Sequence, residues 1–490
     1  FRILAVGDSV TEMGTFTDYL ERELNKKDDH YSYEVWNCGI GGYDIVQYAK
    51  FIEIKGIGFR PNIIMVNLCL HDLRSTPFIA VIGKKNINFH KSKYFRHIPR
   101  YRFAMINNMF FKKSALYRFL LTILEKYFDK FRENTVGFDS VYQSPYGEQK
   151  IIYADWIASG RLYKPIELKI QEEFGPYVAN THTETSETGT LMTHSYHHAQ
   201  KLIKKHVNAG PNDVFIQAGF GMTAVVNKLQ RILGLKGCDR RYKSFCAKQE
   251  DRPVVFITHM EHHSNQTSWY ETVADVVIIE PDENLLVDPE KLREQLENYK
   301  ERKLKIGSFS AASNVTGVIP PYHKLAKIMH EFGGVCFVDF AASAPYVEID
   351  MHPEEPMEKL DAIYFSPHKF LGGPGTCGVL LFNKKLYHNM IPDCPGGGTV
   401  SWTNPWGEHK YFDNIEDRED GGTPGFLQTI KTALAIKLKE KMGVYQKFER
   451  EQENLEQVYN RIGNVDKIKN LPLTNKNRFE EISFYIDNLN

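Results

Sequence analysis

Short apolar runs of roughly four to eight residues alternate with helix-periodic stretches along most of this chain. Nearly every run ends in a turn of Gly, Ser, Asn, His or Asp. That alternation restricts the chain to an α/β architecture. A strand apolar on both faces must be covered by helices on both sides, and strand–helix–strand repeats close into a parallel sheet. In the first part, strands are predicted at 2–6, 33–36 and 63–70, with helical stretches at 16–24 and 114–132. In the second they are predicted at 214–217, 254–258, 275–279, 306–310, 335–339, 362–365 and 378–382, with helices at 223–233, 289–299 and 322–332 between them. Ligands of open α/β sheets bind outside the carboxyl ends of the strands, so the chemistry is to be sought in those turns.

The 490 residues suffice for roughly two to four domains. Three are expected: 1–134, 135–395 and a C-terminal subdomain, 396–490, with Glu133-Asn134-Thr135 as the first seam. Hydrophobic residues make up 42% and charged residues 25%, enough apolar material for large cores. The formal net charge is zero, so bulk electrostatics favour neither a nucleic acid nor an anionic membrane as partner. The basic stretch 91–102 is interleaved with aromatics and reads as solvated surface. Seven scattered cysteines without a Cys-x-x-Cys pair point to reduced thiols and a cytoplasmic protein. The apolar stretch 116–127 is broken by Arg118, Glu125 and Lys126 into an amphipathic helix rather than a span. The chain opens at Phe1 directly on a strand and closes on one at 481–490, so the last subdomain is expected to be partial.

The densest motif is Ser366-Pro367-His368-Lys369-Phe370-Leu371-Gly372-Gly373-Pro374-Gly375. A lysine between a strand and a Gly-rich turn suits imine chemistry in a cleft, where burial and neighbouring cations lower its pKa. Taken alone, such a lysine is as a rule a surface residue. Asp339 closes a strand and suits either pairing with a cationic ring nitrogen or capping a helix. Gly219-Phe220-Gly221-Met222-Thr223 joins a strand to a helix and is either a plain tight turn or a phosphate cradle at a helix N-terminus. Glu261-His262-His263-Ser264-Asn265 offers an imidazole to stack on a ring, a metal-ligand pair, or ordinary loop histidines. Ser313-Asn314-Val315-Thr316-Gly317 offers an amide. Five strand ends thus present phosphate donors, imidazole, amide, carboxylate and amine, in chain order.

With these stretches, Tyr153-Ala154-Asp155-Trp156-Ile157-Ala158-Ser159-Gly160, Asn180-Thr181-His182-Thr183-Glu184-Thr185-Ser186, Gly396-Gly397-Gly398-Thr399-Val400 and Asp420-Gly421-Gly422-Thr423-Pro424, the chain from about residue 136 resembles the class V aminotransferase family. The likeness is to its cysteine desulfurase branch among the fold-type I enzymes of pyridoxal 5'-phosphate. The resemblance implies a transferase or lyase acting on an amino acid, with Lys369 as the Schiff-base lysine, Asp339 at the ring nitrogen, His262 stacked on the ring and Asn314 near the 3-oxygen. Gly221, Met222, Thr223, Ser366 and His368 would bind the phosphate, and Thr399 would reach it across a homodimer interface. A sulfur-acceptor protein is an expected partner. Three departures stand out. Ala342 occupies the place of a glutamine that the family often has. None of the cysteines, Cys377 and Cys394 included, falls where a desulfurase keeps its reactive one. The family's substrate-binding arginine lies in a C-terminal subdomain that the chain is expected to leave incomplete at Asn490.

The first 134 residues resemble an SGNH (GDSL) hydrolase, a flavodoxin-like parallel sheet, on three blocks. Gly7-Asp8-Ser9 would supply a serine nucleophile. Gly42, in Asn37-Cys38-Gly39-Ile40-Gly41-Gly42, would serve the oxyanion with Ser9, and His71, in Cys69-Leu70-His71-Asp72, stands where the family has asparagine. The family takes its base from Asp-x-x-His, which occurs nowhere in the chain. Two alternatives to the amino-acid enzyme therefore stand: an esterase at Ser9, or a fusion that binds the cofactor without turnover. No metal is expected at either site.

Overall fold

The computed structural model describes strands at 2–7, 34–37 and 63–67, residues 127–181, 184–236 and 251–462, and strands at 468–470 and 484–486. The chain divides into two compact units, Phe1–Phe119 and Leu120–Asn490.

In the first unit, strands β1 (Arg2–Gly7), β2 (Glu34–Asn37) and β3 (Ile63–Asn67) form a parallel sheet in the order β2-β1-β3. Arg2 pairs with Glu34 and Ile3 with Ile63. Both pairings are parallel, as expected from the sequence for these strands. Ser9, Gly42 and His71 lie outside the described residues.

The second unit opens with a hairpin, β4 (Val141–Ser144) and β5 (Gly147–Lys150). Its body is a seven-stranded sheet ordered β6-β12-β11-β10-β9-β7-β8. These strands are β6 (Asp213–Ala218), β7 (Val254–Thr258), β8 (Asp275–Ile279), β9 (Lys305–Ser310), β10 (Val335–Asp339), β11 (Ala362–Phe365) and β12 (Gly378–Asn383). β12 alone is reversed, antiparallel to both β6 and β11. The connection 366–377 is spent on the lysine turn and leaves no helix to carry the chain back across the sheet, so the next strand returns antiparallel.

Alternate residues of each central strand enter different cores. Val254 and Phe256 of β7 join one, Val255 and Ile257 the other; Ile363 and Phe365 of β11 oppose Ala362 and Tyr364. The first face is covered by α1 (Glu187–His206), α4 (Pro289–Asn298), α5 (Tyr322–Glu331) and α6 (Phe426–Met442). The second is covered by α2 (Gly221–Ile232) and α3 (His263–Tyr270). Each fully buried large side chain, Phe256 for one, contributes about 1.5–3 kcal/mol. α1 has no counterpart among the predicted elements, although its signals are in the sequence. Ser186 accepts from Gly189 N–H at 3.2 Å as N-cap, and Met192, Tyr196, Ala199 and Ile203 recur at helical spacing on the buried face.

At the sheet's β6 edge, the Glu416 carboxylate accepts from Phe215 N–H at 2.7 Å, so a side chain rather than another strand takes that edge donor. α7 (Val444–Ile462) follows α6 after Gly443. Two small antiparallel pairs complete the description: β13 (Val400–Thr403) with β14 (His409–Tyr411), and β15 (Ile468–Asn470) with β16 (Phe484–Ile486). No helix among the described residues is long and apolar enough to cross a membrane.

Candidate active site

Because every strand of the large sheet except β12 runs the same way, the carboxyl ends of β6, β7, β9, β10 and β11 lie along one edge. They deliver in turn Gly221, His262, Asn314, Asp339 and Lys369, the residues singled out in the sequence.

Lys369 sits in a single 3-10 turn, Pro367–Lys369, opened by proline. Lys369 N–H donates to Ser366 O at 3.0 Å, and Gly373 N–H to Phe370 O at 2.9 Å. A Cβ on Gly373 would stand 1.9 Å from Pro367 O, so only glycine fits there. The stretch before residue 161 braces this turn from outside. Gly160 N–H donates to His368 O at 3.0 Å, Gly372 N–H donates to Arg161 O at 2.7 Å, and Tyr153 OH donates to Ser159 O at 2.7 Å. Phe370 is buried and its ring lies 6.1 Å from that of Phe365, anchoring the turn in the core. Lys369 itself is half-buried, and its charge helps push the imidazoles of His262 and His368 below their ordinary range, after burial.

At one end of the edge, Met222 N–H donates to Ser366 Oγ at 2.8 Å, joining the start of α2 to the lysine turn. Gly221 has φ +70°, and a Cβ there would meet His368 Cε1 at 2.6 Å and Ser366 Oγ at 2.9 Å. α2 starts at Gly221, two residues before the predicted start, because Gly219 and Gly221 turn the chain from strand into helix through the left-handed region. Gly221, Met222, Ser366 and His368 are therefore brought together. Thr223 is exposed, with its Oγ1 2.7 Å from Ser264 Oγ. Thr399 is fully buried, and its hydroxyl donates to Gly396 O at 2.6 Å within its own loop.

At the other end stand two buried carboxylates. The one hydrogen bond that the Asp339 side chain makes among the described residues is from Ala341 N–H to Oδ1, at 2.8 Å. The capping alternative thus takes the form of a tight turn after the strand. Burial, with Glu261 nearby, pushes this carboxyl up to about 7 against the Ala341 bond and the Lys369 charge. His262 caps α3, its Nδ1 accepting from Ser264 N–H at 3.1 Å. That bond leaves the proton of the neutral ring on Nε2. Asn314 is half-buried beside Ser313, whose Oγ accepts from Val315 and Thr316 N–H. Among the described residues no group of three or more His, Cys, Asp or Glu side chains is placed to hold a metal ion.

Sequence reasoning did not assign roles to Glu261, Asn265, Ser308 or Tyr364, which form a buried polar network behind the edge. Asn265 Nδ2 donates to Glu261 at 2.7 Å, and Asn265 Oδ1 accepts from Ser308 Oγ at 2.8 Å and Tyr364 OH at 2.7 Å. The available signal is Ser308 and Ser310 in a strand buried along its whole length, where unpaired hydroxyls are costly. Cys336, Cys377 and Cys394 are free thiols, and burial pushes all three above their ordinary value.

The solved apo structure of a cysteine desulfurase from Thermococcus onnurineus NA1 superposes with a TM-score of 0.59 at 22% identity, covering 74% of this chain and 82% of its own, which establishes a common fold. A probable cysteine desulfurase from Pyrococcus abyssi is 28% identical over 316 residues, 63% of this chain and 71% of that protein. One from Halalkalibacterium halodurans is 27% identical over 296 residues, 60% and 68% of the two chains. The sequence model of the aminotransferase class-V family matches residues 152–490, well over half the length, and the chain belongs to that family.

Proposed function

We propose that this chain is a pyridoxal 5'-phosphate enzyme acting on an amino acid, of cysteine desulfurase type, with Lys369 as the residue that holds the cofactor covalently. The observation that carries the reading is the convergence of Lys369, Asp339, His262 and the Gly221–Ser366–His368 group on one sheet edge. The residues fit such a group on two counts. Gly221 keeps open a space that any side chain would fill, beside backbone N–H groups at a helix start. Asp339 keeps a buried carboxylate with a single side-chain hydrogen bond, a setting that suits a cationic ring nitrogen.

When bound, the cofactor supplies an electron sink for bonds at the amino acid's α-carbon. The chain's own residues do the rest. Ser366, His368 and the Gly221, Met222 and Thr223 turn bind the phosphate, Asp339 holds a proton at the ring nitrogen, and Asn314 faces the 3-oxygen. His262 covers the ring and, as a neutral imidazole, offers its Nε2 proton. Lys369 would hold the cofactor covalently and, with its amine free, would serve as a base. The reading extends to a second copy of the chain, with Thr399 serving its partner's phosphate, and to a protein acceptor for sulfur.

Purified protein given pyridoxal phosphate should turn yellow, and with cysteine it should release sulfide and alanine. A wild type that stays colourless defeats the cofactor assignment. One that colours but yields no sulfide from cysteine defeats the substrate assignment alone.

A further inference from the structure

Glu261 is buried next to His262 in the chain; burial pushes its carboxyl above the ordinary range, and the hydrogen bonds it accepts from Ser310, Asn265 and Thr258 oppose that rise and favour the charged form. Oε1 accepts from Thr258 Oγ1 at 2.7 Å, Thr258 N–H at 3.3 Å and Ser310 N–H at 3.1 Å. Oε2 accepts from Asn265 Nδ2 and Ser310 Oγ, each at 2.7 Å. Asn265 cannot turn its amide round, because its Oδ1 already accepts from Ser308, Tyr364 and Trp269. Its Nδ2 therefore needs an acceptor at residue 261, and a carboxylate supplies it. Ser310 stands opposite Asp339 in the β9–β10 ladder, and Tyr364 stands opposite Asp339 in the β10–β11 ladder. Glu261, Ser310, Asp339 and Tyr364 thus belong to one row across the strand ends.

We propose that Glu261 is a positioning residue, which fixes His262 through the chain and through its standing negative charge holds the proton of the Asp339–ring nitrogen pair. This deepens the proposed function and rests on it. The ionisable groups near the pair are Glu261 ahead of α3, His262 at its cap, Tyr364 on β11 and Lys369 after it. In the cofactor-free chain the Lys369 charge favours ionised Asp339 and Glu261 opposes it. The Glu261 side chain is tied to the ends of two strands, at Thr258 and Ser310, so the next residue, His262, starts from a fixed position.

The experiment uses the full chain loaded with pyridoxal phosphate labelled with 15N in the ring. The 15N chemical shift reports ring protonation directly as pH is raised. Glu261→Gln should lower the midpoint by about 1 unit, as removal of a nearby charge does. Ser310→Ala, which removes a donor from the same contact but keeps the charge, should leave the midpoint in place. No shift in Glu261→Gln, or the same shift in both variants, overturns the proposal by showing a structural role only. If Glu261→Gln does not fold, the wild type still decides: a ring nitrogen already deprotonated at neutral pH overturns it. A wild type with no bound-cofactor signal at all is a distinct result, which fails the proposed function and this inference together.

Discussion

The two ends of the sheet edge handle polarity differently. At the Gly221 end, contacts are few: one N–H to Ser366 Oγ, two glycines in the left-handed region, and His368 against the space a Cβ would take. Ser366 and Met222 are buried there, His368 is half-buried and Thr223 is exposed. At the Asp339 end, two carboxylates are taken out of water, and Glu261 alone accepts five hydrogen bonds. One end is shaped by backbone conformation, the other by burial of charge. A glycine turn binds an anion at little cost in stability, whereas a buried carboxylate with one hydrogen bond is destabilising until a cation meets it.

Removing the group between the two ends gives the largest effect. Lys369→Ala should lose the visible absorbance of bound pyridoxal phosphate and cut turnover about a thousandfold or more, measured as product formed from cysteine. Retained colour and turnover would remove the centre of the comparison.

Asp339→Asn should lower turnover about a hundredfold and, in cofactor-free protein, do the opposite to stability. The Asp339 carboxyl is raised to about 7 in the folded chain, against about 3.9 unfolded. Its contribution to stability is therefore full below the unfolded value and is lost as pH rises towards 7. Asparagine does not titrate, so the variant's advantage should grow between pH 4 and neutrality, to on the order of a few kcal/mol. Denaturant unfolding of cofactor-free protein at pH 5 and pH 8 measures it. An advantage that does not change with pH would mean that the carboxylate is not strained by burial.

Gly221→Ala tests the other end. The new Cβ would meet His368 and Ser366 in a left-handed conformation, so affinity for pyridoxal phosphate should fall about tenfold, roughly the strain of 1–2 kcal/mol. Affinity for pyridoxal, which has no phosphate, should hold. Equal losses for both ligands would detach this turn from phosphate binding.

The smallest effect is expected from Tyr364→Phe, which takes one donor from Asn265 and leaves Ser308 and Trp269 in place. Unfolding should cost about 1 kcal/mol less. A loss of several kcal/mol would show that the network acts as a unit rather than bond by bond.

Much of this was legible beforehand. The strands 254–258, 275–279, 335–339 and 362–365 coincide with β7, β8, β10 and β11, since their apolar runs are bounded by turn residues, and β7 and β11 are buried along their whole length. Glycine turns and the lysine turn were legible too, because a residue that alone tolerates positive φ or a close backbone approach marks its own place. The helix at Glu187–His206 was passed over: its buried face carries Thr193 and Gln200 among the apolar residues, which blurs the periodicity. Boundaries moved by a residue or two where glycines fixed the entry to α2.

By itself, the sequence determined an α/β sheet with imidazole, carboxylate and amine at strand ends, because strand period, turn residues and chain order are local properties. Only the tertiary structure decided that β12 runs backwards, that Met222 N–H meets Ser366 Oγ, and that Glu261, Ser310, Asp339 and Tyr364 form one row. Those facts join residues far apart in the chain, and hydrogen bonding and charge acquire their strength only where packing has removed the water.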